Sequence, residues 1–392
     1  MLVYLDNSAT TRAYDEVIAL MNQMQKEEYG NPSSLHTMGL AAEKRLRAAR
    51  RSLALALCAR EEEVYFTSGG TESDNTVLAG LLALAAHGKN RLITTAVEHP
   101  AVLEPARRLE SLGFKVDYIG VDRHCHLNMQ QLEAALGEDV AMISVMTVNN
   151  ETGTIMPLAE IGRLKERFNR EHGTAILLHT DAVQALGKLP LDMAGALRKV
   201  DLLSVSAHKI HGPKGVGGLY VRKGTKAQPF MLGGGQERAF RSGTENTPGI
   251  CGFGLALDMA TGRLSERTAA MQKARAALLS ALKAEVPDIV INSPEDETAS
   301  PAVLNVSFLG TRGEVLLHTL EQEGIFVSTG SACSSHKKGQ SHVLTAMGLK
   351  PKEIEGAIRF SFSEFNSPEQ MEYTAQKVKE AVARFRRLGS FR

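Results

Sequence analysis

The sequence predicts an α/β protein with a mainly parallel sheet that is flanked by helices. Short apolar runs typical of strands recur through the middle of the chain, at residues 91–95, 115–119, 140–148, 175–179, 202–206 and 218–221. Stretches with helical spacing, such as residues 158–172, lie between several of these runs. Strands that alternate with helices favour a parallel sheet with helices on both faces. Because such sheets bind ligands beyond the carboxyl ends of their strands, we expect the chemistry of the protein at that edge.

The two ends of the chain differ in pattern. Residues 41–58 and 72–87 predict helices on either side of a strand at 63–67 and a glycine-rich turn. From about residue 255 the strict alternation stops. A helical stretch at 255–285 precedes a strand at 301–308, a helix at 312–324, a Ser/Gly-rich loop at 328–340, a strand at 358–362 and a helix at 368–388. This order predicts a second, smaller α+β domain.

Composition excludes several classes of protein. The chain has 392 residues, of which 43% are hydrophobic, so it can bury a large core and is not mainly disordered. The formal net charge of +1 gives no overall attraction to nucleic acid or to an acidic membrane. We find no secretory signal and no apolar run that could span a bilayer. These observations predict a cytoplasmic protein without nucleic acid or membrane partners.

A glycine-rich turn, Ser68-Gly69-Gly70-Thr71, separates the strand at 63–67 from the following helix. A loop of this kind presents backbone N–H groups at a helix N-terminus, which suits a phosphate. The alternative is a tight turn in which Thr71 caps the helix, and this turn alone favours the alternative.

Two polar residues follow other strands of the predicted sheet. Asp181 comes just after an apolar run, where a carboxylate could hold a cationic ring nitrogen or simply cap the next helix. Lys209 follows the run at 202–206, between His208 and His211, and an amine among other cations can act as a nucleophile. The alternative for Lys209 is a surface charge. A lysine, a carboxylate and a phosphate-binding turn at successive strand ends together indicate pyridoxal phosphate.

The four cysteines, Cys58, Cys125, Cys251 and Cys333, are far apart and form no C-x-x-C pair. This spacing argues against a disulfide scaffold and against a zinc or iron–sulfur ligand cluster. Cys333 lies in a loop of small residues with Lys337 and Lys338 nearby, and cations favour the nucleophilic thiolate. We expect Cys58 and Cys251 to be core residues.

Many segments of the chain resemble the cysteine desulfurases of the NifS/IscS type, in the class V aminotransferase group of fold-type I pyridoxal-phosphate enzymes. The matching segments are residues 4–11, 30–34, 66–75, 98–100, 148–153, 179–184, 206–218, 233–237, 241–246, 328–334 and 359–361. The resemblance implies a large domain at residues 13–255 with a mainly parallel seven-stranded sheet. It also implies a small domain formed by residues 1–12 and 256–392. One departure is Ala239, where many members of the family have glycine.

The resemblance also implies a role for each matching residue. Lys209 would bind the cofactor as a Schiff base, Asp181 would pair with the ring nitrogen, and Gln184 would hydrogen-bond the ring oxygen. His99 would stack on the ring and shuttle protons. The remaining cofactor contacts would come from Asn150 and, at the phosphate, from Gly70, Thr71, Ser206, His208 and the neighbouring subunit's Thr244. Arg359, assisted by Asn31, would bind the substrate carboxylate. No metal is implied.

The activity implied by the resemblance is the removal of sulfur from L-cysteine. The products would be L-alanine and a persulfide on Cys333, which then passes sulfur to an acceptor protein for iron–sulfur clusters, tRNA thiolation or cofactor synthesis. The active unit would be a homodimer. Alternatives are a selenocysteine lyase or a transaminase of the same fold, and a non-catalytic sulfur carrier or regulator. Cys333 argues against a transaminase, and the retained site residues argue against a non-catalytic protein.

Overall fold

A computed structural model describes residues 1–85, 87–329, 340–387 and 389. The strands, in chain order, are β1 (Val3–Tyr4), β2 (Val64–Thr67), β3 (Arg91–Thr95), β4 (Lys115–Ile119), β5 (Val140–Ser144), β6 (Leu177–Asp181), β7 (Leu202–Ser206), β8 (Gly217–Val221), β9 (Ile289–Ile291), β10 (Val303–Phe308), β11 (Ile325–Phe326) and β12 (Ala357–Ser361). The helices are α1 (Asp15–Glu27), α2 (Thr37–Ala56), α3 (Gly70–Gly80), α4 (Leu82–Ala85), α5 (Pro100–Ser111), α6 (Met129–Ala134), α7 (Leu158–His172), α8 (Thr247–Gly262), α9 (Leu264–Glu285), α10 (Gly313–Gln322), α11 (His342–Ala346), α12 (Pro351–Glu355) and α13 (Pro368–Arg387).

The large sheet has seven strands in the order β2-β8-β7-β6-β5-β3-β4. Every pair among β3 to β7 is parallel, whereas β8 runs antiparallel to both β7 and β2. All residues of β5, β7 and β8 are buried, as expected for strands covered on both faces. The predicted mainly parallel seven-stranded sheet is therefore confirmed.

The direction of these strands brings their carboxyl ends to one edge of the sheet. Because β8 is antiparallel to both of its neighbours, β2 ends on the same side as β7. The register shows this directly, since Gly217 at the start of β8 pairs with both Thr67 and Ser206. The turn after β2, Asp181 at the end of β6 and the turn after β7 therefore lie together.

A smaller antiparallel sheet, in the order β12-β10-β9, is formed by the C-terminal part of the chain. Helices α9 and α13 pack against each other beside it. The N-terminal strand β1 joins this part of the molecule, because Val3 and Tyr4 pair in parallel with Ile325 and Phe326. The chain then crosses to the edge of the large sheet, which places residues 6–14 between the two sheets. The division into domains at residues 12 and 255 stays a prediction.

The single helix expected over residues 255–285 is wrong in detail, because two helices occupy this region. Helix α8 begins earlier, where the Asn246 side chain accepts a hydrogen bond from Gly249 N and Pro248 stands in the first turn. The helix ends at Gly262, and the backbone of Arg263 (φ −124°, ψ 27°) leaves the helical range before α9 starts. Among the described helices, none has the length and apolar composition that a bilayer crossing would need.

Candidate active site

A cavity of about 240 Å³ opens at the carboxyl edge of the large sheet. It brings together most of the residues that the sequence singles out. Those lining it are Gly70, Thr71, His99, Asn150, Asp181, Gln184, Ser206, His208, Lys209 and Arg359. Ser8, Ala9 and Asp74 line it as well. The cavity therefore lies at the edge of the sheet where the sequence analysis expects a ligand site.

The glycine-rich turn after β2 forms one wall of the cavity. Gly69 is the N-cap of α3 and has φ +155°, so Thr71 lies inside the first helical turn and does not cap the helix. A Cβ atom on Gly70 would lie 2.6 Å from Cγ2 of Val183, and one on Gly217 would lie 2.6 Å from Cα of Gly69. The glycines allow the turn to pack closely against both neighbours. The N-terminus of α3 thereby faces a cavity, as an anion site requires.

Lys209 ends a short 3₁₀ turn, Ala207–Lys209, directly after β7. Its Nζ donates hydrogen bonds to the carbonyl oxygens of Ser8, at 2.5 Å, and Ala9, at 2.8 Å. The same N-terminal segment also holds His208, whose carbonyl accepts a hydrogen bond from Thr11 N at 2.9 Å. Residues 8–11 therefore fix the position of the lysine. Sequence reasoning assigned them no role, although their segment carries the family resemblance.

Asp181 lies at the end of β6 and is buried. Its Oδ1 accepts a hydrogen bond from Val183 N at 2.9 Å, and burial, reinforced by the charge of Asp74, raises the pKa of Asp181 to about 7. Burial also raises the pKa of Asp74 to about 7. A side-chain hydrogen bond from Ser204 only partly offsets this rise, and His179 Nε2 lies 3.5 Å from Oδ1 of Asp74. The floor of the cavity thus contains buried carboxyl groups that a cation would stabilise.

His99 is the N-cap of α5, and its Nδ1 accepts a hydrogen bond from Ala101 N at 3.1 Å. Burial lowers the pKa of His99 to about 4, and the charges of Lys209 and His342 act in the same direction. The imidazole is therefore neutral at physiological pH, with the proton on Nε2 because Nδ1 is an acceptor. Such a ring can stack on a flat ligand without adding a charge.

Arg359 in β12 is only 2% exposed although it lines the cavity. Its Nη2 donates to Asp6 Oδ1 at 2.8 Å, and its Nη1 donates to the carbonyl of Asn150 at 3.1 Å. Its Nε is buried without a hydrogen-bond partner among the described residues. The guanidinium group is thus held on two sides and keeps donor capacity for a carboxylate. Asp6 was missed as a site residue, since no local pattern relates it to a residue so distant in sequence.

The residues of the cavity fit pyridoxal phosphate. The cavity combines a lysine amine, buried carboxyl groups, a neutral imidazole and a glycine-rich helix N-terminus. A ring with a positive nitrogen and a phosphate complements this set of groups. No cluster of three or more metal-ligating side chains occurs in the part of the chain that the structure describes.

Two predicted site residues do not join the cavity lining. Asn31 accepts a hydrogen bond from Ser33 N at 2.9 Å within its own loop, and Thr244 lies before α8. Cys333 lies outside the described residues. For the other cysteines, Cys251 is buried as expected, but the prediction of a core position for Cys58 is wrong. Helix α2 ends at Ala56, and Cys58 follows in an exposed left-handed conformation with φ +48°.

Ala239 belongs to an unusual turn, Glu237–Ala239, in which all residues are left-handed, with φ values of 47°, 57° and 61°. Glycine adopts this conformation at lower cost, so the alanine at position 239 carries backbone strain that glycine would not. The Glu237 carboxylate stabilises the turn by accepting hydrogen bonds from Arg50 and, at 2.8 Å, from Phe66 N.

Comparison with known proteins identifies the family. The model of the aminotransferase class-V family matches residues 3–373. A cysteine desulfurase of Trichormus azollae is 42% identical over 392 residues, which cover all of this chain and 95% of the relative. The cysteine desulfurase IscS of Clostridium botulinum is 40% identical over 387 residues, covering 98% of this chain and 96% of the relative.

Solved structures agree with these relatives. A NifS-like protein superposes with a TM-score of 0.90 at 41% identity, covering 98% of this chain and 100% of the other. SspA, solved in complex with cysteine, gives a TM-score of 0.80 at 32% identity and covers 93% of this chain and 100% of its own. The chain therefore belongs to the aminotransferase class-V family. The predicted fold type, the pyridoxal-phosphate dependence and the relationship to cysteine desulfurases are confirmed.

Proposed function

We propose that this enzyme removes the sulfur atom of L-cysteine, releases L-alanine and leaves a persulfide on Cys333. The observation that carries the proposal is the shared cavity of Lys209, Asp181 and Arg359. An amine, a carboxyl group for a ring nitrogen and a guanidinium for a carboxylate are what an amino-acid reaction on pyridoxal phosphate requires. The bound cofactor supplies an electron sink for the pair released when the substrate Cα–H bond breaks.

Each group of the cavity has a place in holding the cofactor. Lys209 would bind it covalently through Nζ, and Asp181 would pair with the ring nitrogen. Gln184 would donate to the ring oxygen, with His99 on the ring face. The phosphate would be held by the turn after β2 and the turn after β7, through Gly70, Thr71, Ser206 and His208. Asn150 would complete the contacts. These assignments are supported by the common position of the residues at the cavity wall.

The substrate would be held by Arg359. A bidentate pair between a guanidinium and a carboxylate is strong in a site that excludes water, and Arg359 is 2% exposed. Asp6 and the carbonyl of Asn150 fix the plane of the guanidinium before substrate arrives. Asn31 would assist from its loop.

The proton of the substrate Cα would be moved by Lys209, with His99 assisting. Lys209 is held at the cavity by two backbone carbonyls, and His99 is a neutral imidazole beside it. A base near the reacting carbon contributes about 10² to 10⁴ in rate. Removal of this proton prepares the cleavage of the substrate Cβ–S bond.

Sulfur transfer would occur at Cys333. Its thiolate attacks the substrate sulfur, the new S–S bond forms as the Cβ–S bond breaks, and the carbon fragment takes up protons to become alanine. The net change is L-cysteine plus Cys333 thiol to L-alanine plus Cys333 persulfide. The role of Cys333 rests on its sequence segment, which combines small residues with Lys337 and Lys338.

We also propose that the active unit is a homodimer. Thr244 and Asn31 do not line the cavity of their own chain, and large apolar side chains near them are exposed. Tyr29 is 70% exposed, Leu35 93% and Leu232 81%. A second copy would cover this apolar surface and could bring Thr244 to the phosphate of its neighbour. The sulfur would then pass to an acceptor protein in the cytoplasm, where thiols stay reduced.

The test is direct. The purified, cofactor-loaded protein is incubated with L-cysteine and a thiol reductant, and alanine and sulfide are quantified beside a Cys333→Ala variant. Equal amounts of both products, lost in the variant, would support the proposal. No alanine from a folded, cofactor-bound protein would contradict it. The assay is repeated with selenocysteine, and activity with that substrate alone would assign the enzyme to the selenocysteine lyases.

A further inference from the structure

Lys188 is a buried lysine close to the cavity, and neither the sequence pattern nor the proposed mechanism gives it a role. It is 3% exposed. Burial lowers the pKa of its amine to about 7, and the cations Lys209, Arg267 and Arg359 act in the same direction, opposed by Glu364. Burying a lysine among other cations costs stability. An amine retained in such a place calls for a specific partner.

That partner is Gln184. Nζ of Lys188 donates to Oε1 of Gln184 at 3.0 Å. At the other end of the same amide, Nε2 of Gln184 donates to the carbonyl oxygen of Ser8 at 2.9 Å. A lysine amine donates at one end and a backbone carbonyl accepts at the other. Both contacts therefore select the same orientation of an amide that could otherwise be reversed.

The backbone around Lys188 is itself held in place. Gly187 has φ +65°, and a Cβ atom there would lie 2.9 Å from Cγ2 of Ile210, the residue after Lys209. Thr268 Oγ1 in α9 donates to the carbonyl of Lys188 at 3.0 Å. The turn therefore packs against the Lys209 segment and is tied to α9. The backbone of Lys188 is therefore held in place, which limits the positions that its amine can occupy beside Gln184.

We propose that Lys188 is a positioning residue, which holds Gln184 so that its N–H group and not its carbonyl is presented to the cofactor ring oxygen. This inference rests on the proposed function, in which Gln184 contacts that oxygen. The ring oxygen of pyridoxal phosphate is a hydrogen-bond acceptor. A reversed amide would place two acceptors together, so control of the orientation stabilises the bound cofactor.

A double-mutant cycle tests the proposal on the full-length protein. Lys188→Met keeps most of the side-chain volume and removes the donor, and Gln184→Leu removes the group on which Lys188 is proposed to act. The measurements are the dissociation constant of pyridoxal phosphate and the position of its absorption band without substrate. We expect Lys188→Met to weaken cofactor binding about fivefold and to shift the band. In the Gln184→Leu background the same change should have an effect below about twofold.

Controls separate positioning from general destabilisation. Replacing a buried charge by an apolar side chain of similar volume is often tolerated, and thermal unfolding of the apo variants checks this. Lys188→Leu is made in parallel in case Met overpacks the site. Lys165→Met is the matched control, because Lys165 is also buried but lies away from the cavity. Its Nζ donates to Asp201 Oδ2 at 2.6 Å and to the backbone carbonyl of Lys199 at 2.9 Å. This variant should leave the absorption band unchanged.

Two results would overturn the inference. One is an unchanged band and affinity in folded Lys188→Met and Lys188→Leu. The other is an equal effect of Lys188→Met with and without Gln184, which would indicate a general structural role. Failure of the proposed function would look different, because wild-type protein would then bind the cofactor and yet form no alanine.

Discussion

Asp6 Oδ1 accepts a hydrogen bond from Nη2 of Arg359 at 2.8 Å, across 353 positions of the chain. The contact joins the N-terminal segment, just after β1, to β12 of the C-terminal sheet. Asp6 also forms an isolated bridge with Ser361, so the backbone and the side chain are both fixed. The proposed substrate-binding arginine therefore depends on the first residues of the chain for its orientation.

Asp6→Ala should raise the KM for L-cysteine about five- to tenfold and change kcat by less than about twofold. A charge-assisted hydrogen bond contributes about 1.5 to 3 kcal/mol, and its loss leaves the guanidinium less ordered for a bidentate pair. Steady-state kinetics measure both constants. Asp15→Ala is the control, because Asp15 pairs with Arg12 on the surface, where both side chains are more than 70% exposed. A lowered KM for Asp6→Ala would show that Asp6 competes with the substrate.

Lys209→Ala should reduce alanine formation by about a thousandfold or more, because the proposed covalent link to the cofactor and the proposed main proton carrier are both lost. Alanine is quantified under saturating L-cysteine with excess cofactor. Lys214→Ala provides the comparison, since Lys214 lies five residues further along in an exposed position. Comparable rates for Lys209→Ala and wild type would remove Lys209 from the mechanism.

Cys333→Ala should still bind L-cysteine, with a changed cofactor spectrum, but should form no persulfide. The nucleophilic sulfur is removed while the proposed binding groups remain. Persulfide is detected by intact-mass analysis, as a gain of one sulfur atom. Cys58→Ala is the matched control, because Cys58 is an exposed cysteine that does not line the cavity. Persulfide on Cys58 in place of Cys333 would contradict the assignment.

Gly217→Ala should weaken cofactor binding about tenfold, which corresponds to a loss of about 1.4 kcal/mol in binding free energy. The new methyl group would meet Cα of Gly69 and the carbonyl oxygen of Val205, both at 2.6 Å, so the turn after β2 must move. Cofactor affinity is measured by titration of the apo protein. Gly262→Ala, with no atom within 4 Å of the added Cβ, should bind as the wild type does. Unchanged cofactor affinity in Gly217→Ala would contradict the proposal that the turn after β2 binds the cofactor phosphate.

The buried carboxyl groups should make a destabilising contribution to the apo protein that grows as the pH rises from 6 to 8. Burial raises the pKa of Asp74 and Asp181 to about 7 and that of Glu98 to about 8, above the values of the unfolded chain. The folded state therefore holds protons that the unfolded state has already released, and this contribution is lost as the pH passes the folded pKa.

Asp74→Asn tests this sign. A carboxyl group whose pKa is near 7 in the folded state lowers the free energy of unfolding by about 1.4 kcal/mol when the pH rises from 6 to 8. An amide does not titrate and makes no such contribution. The loss of unfolding free energy between these two pH values should therefore be smaller in the variant by about that amount. Denaturant unfolding of the apo forms at both pH values measures it. An equal loss in wild type and variant would show that Asp74 does not titrate in this range.

Local pattern predicted much of this architecture. The bounds of α7 and β7 were predicted to the residue, because an amphipathic helix and a short apolar strand with polar flanks are encoded in neighbouring positions. The break between α8 and α9 was missed, since apolar periodicity continues on both sides of Arg263. The exposed position of Cys58 was missed because the apolar residues before it suggest that the helix continues. Helix α2 ends at Ala56, before Cys58 is reached.

The sequence by itself determined the class of fold, the edge of the sheet at which the cavity lies and the main side chains proposed to bind the cofactor, because each depends on a strand and the residues just after it. The tertiary structure decided which partners act on those side chains. Asp6 accepts a hydrogen bond from Arg359, and the carbonyl of Ser8 accepts hydrogen bonds from Lys209 and Gln184. Each contact joins residues more than 170 positions apart in the chain. The raised pKa of Asp181 at the end of β6 likewise depends on burial and on Asp74 in helix α3. Such relationships arise only when the crossing N-terminal segment and the sheet edge are packed together.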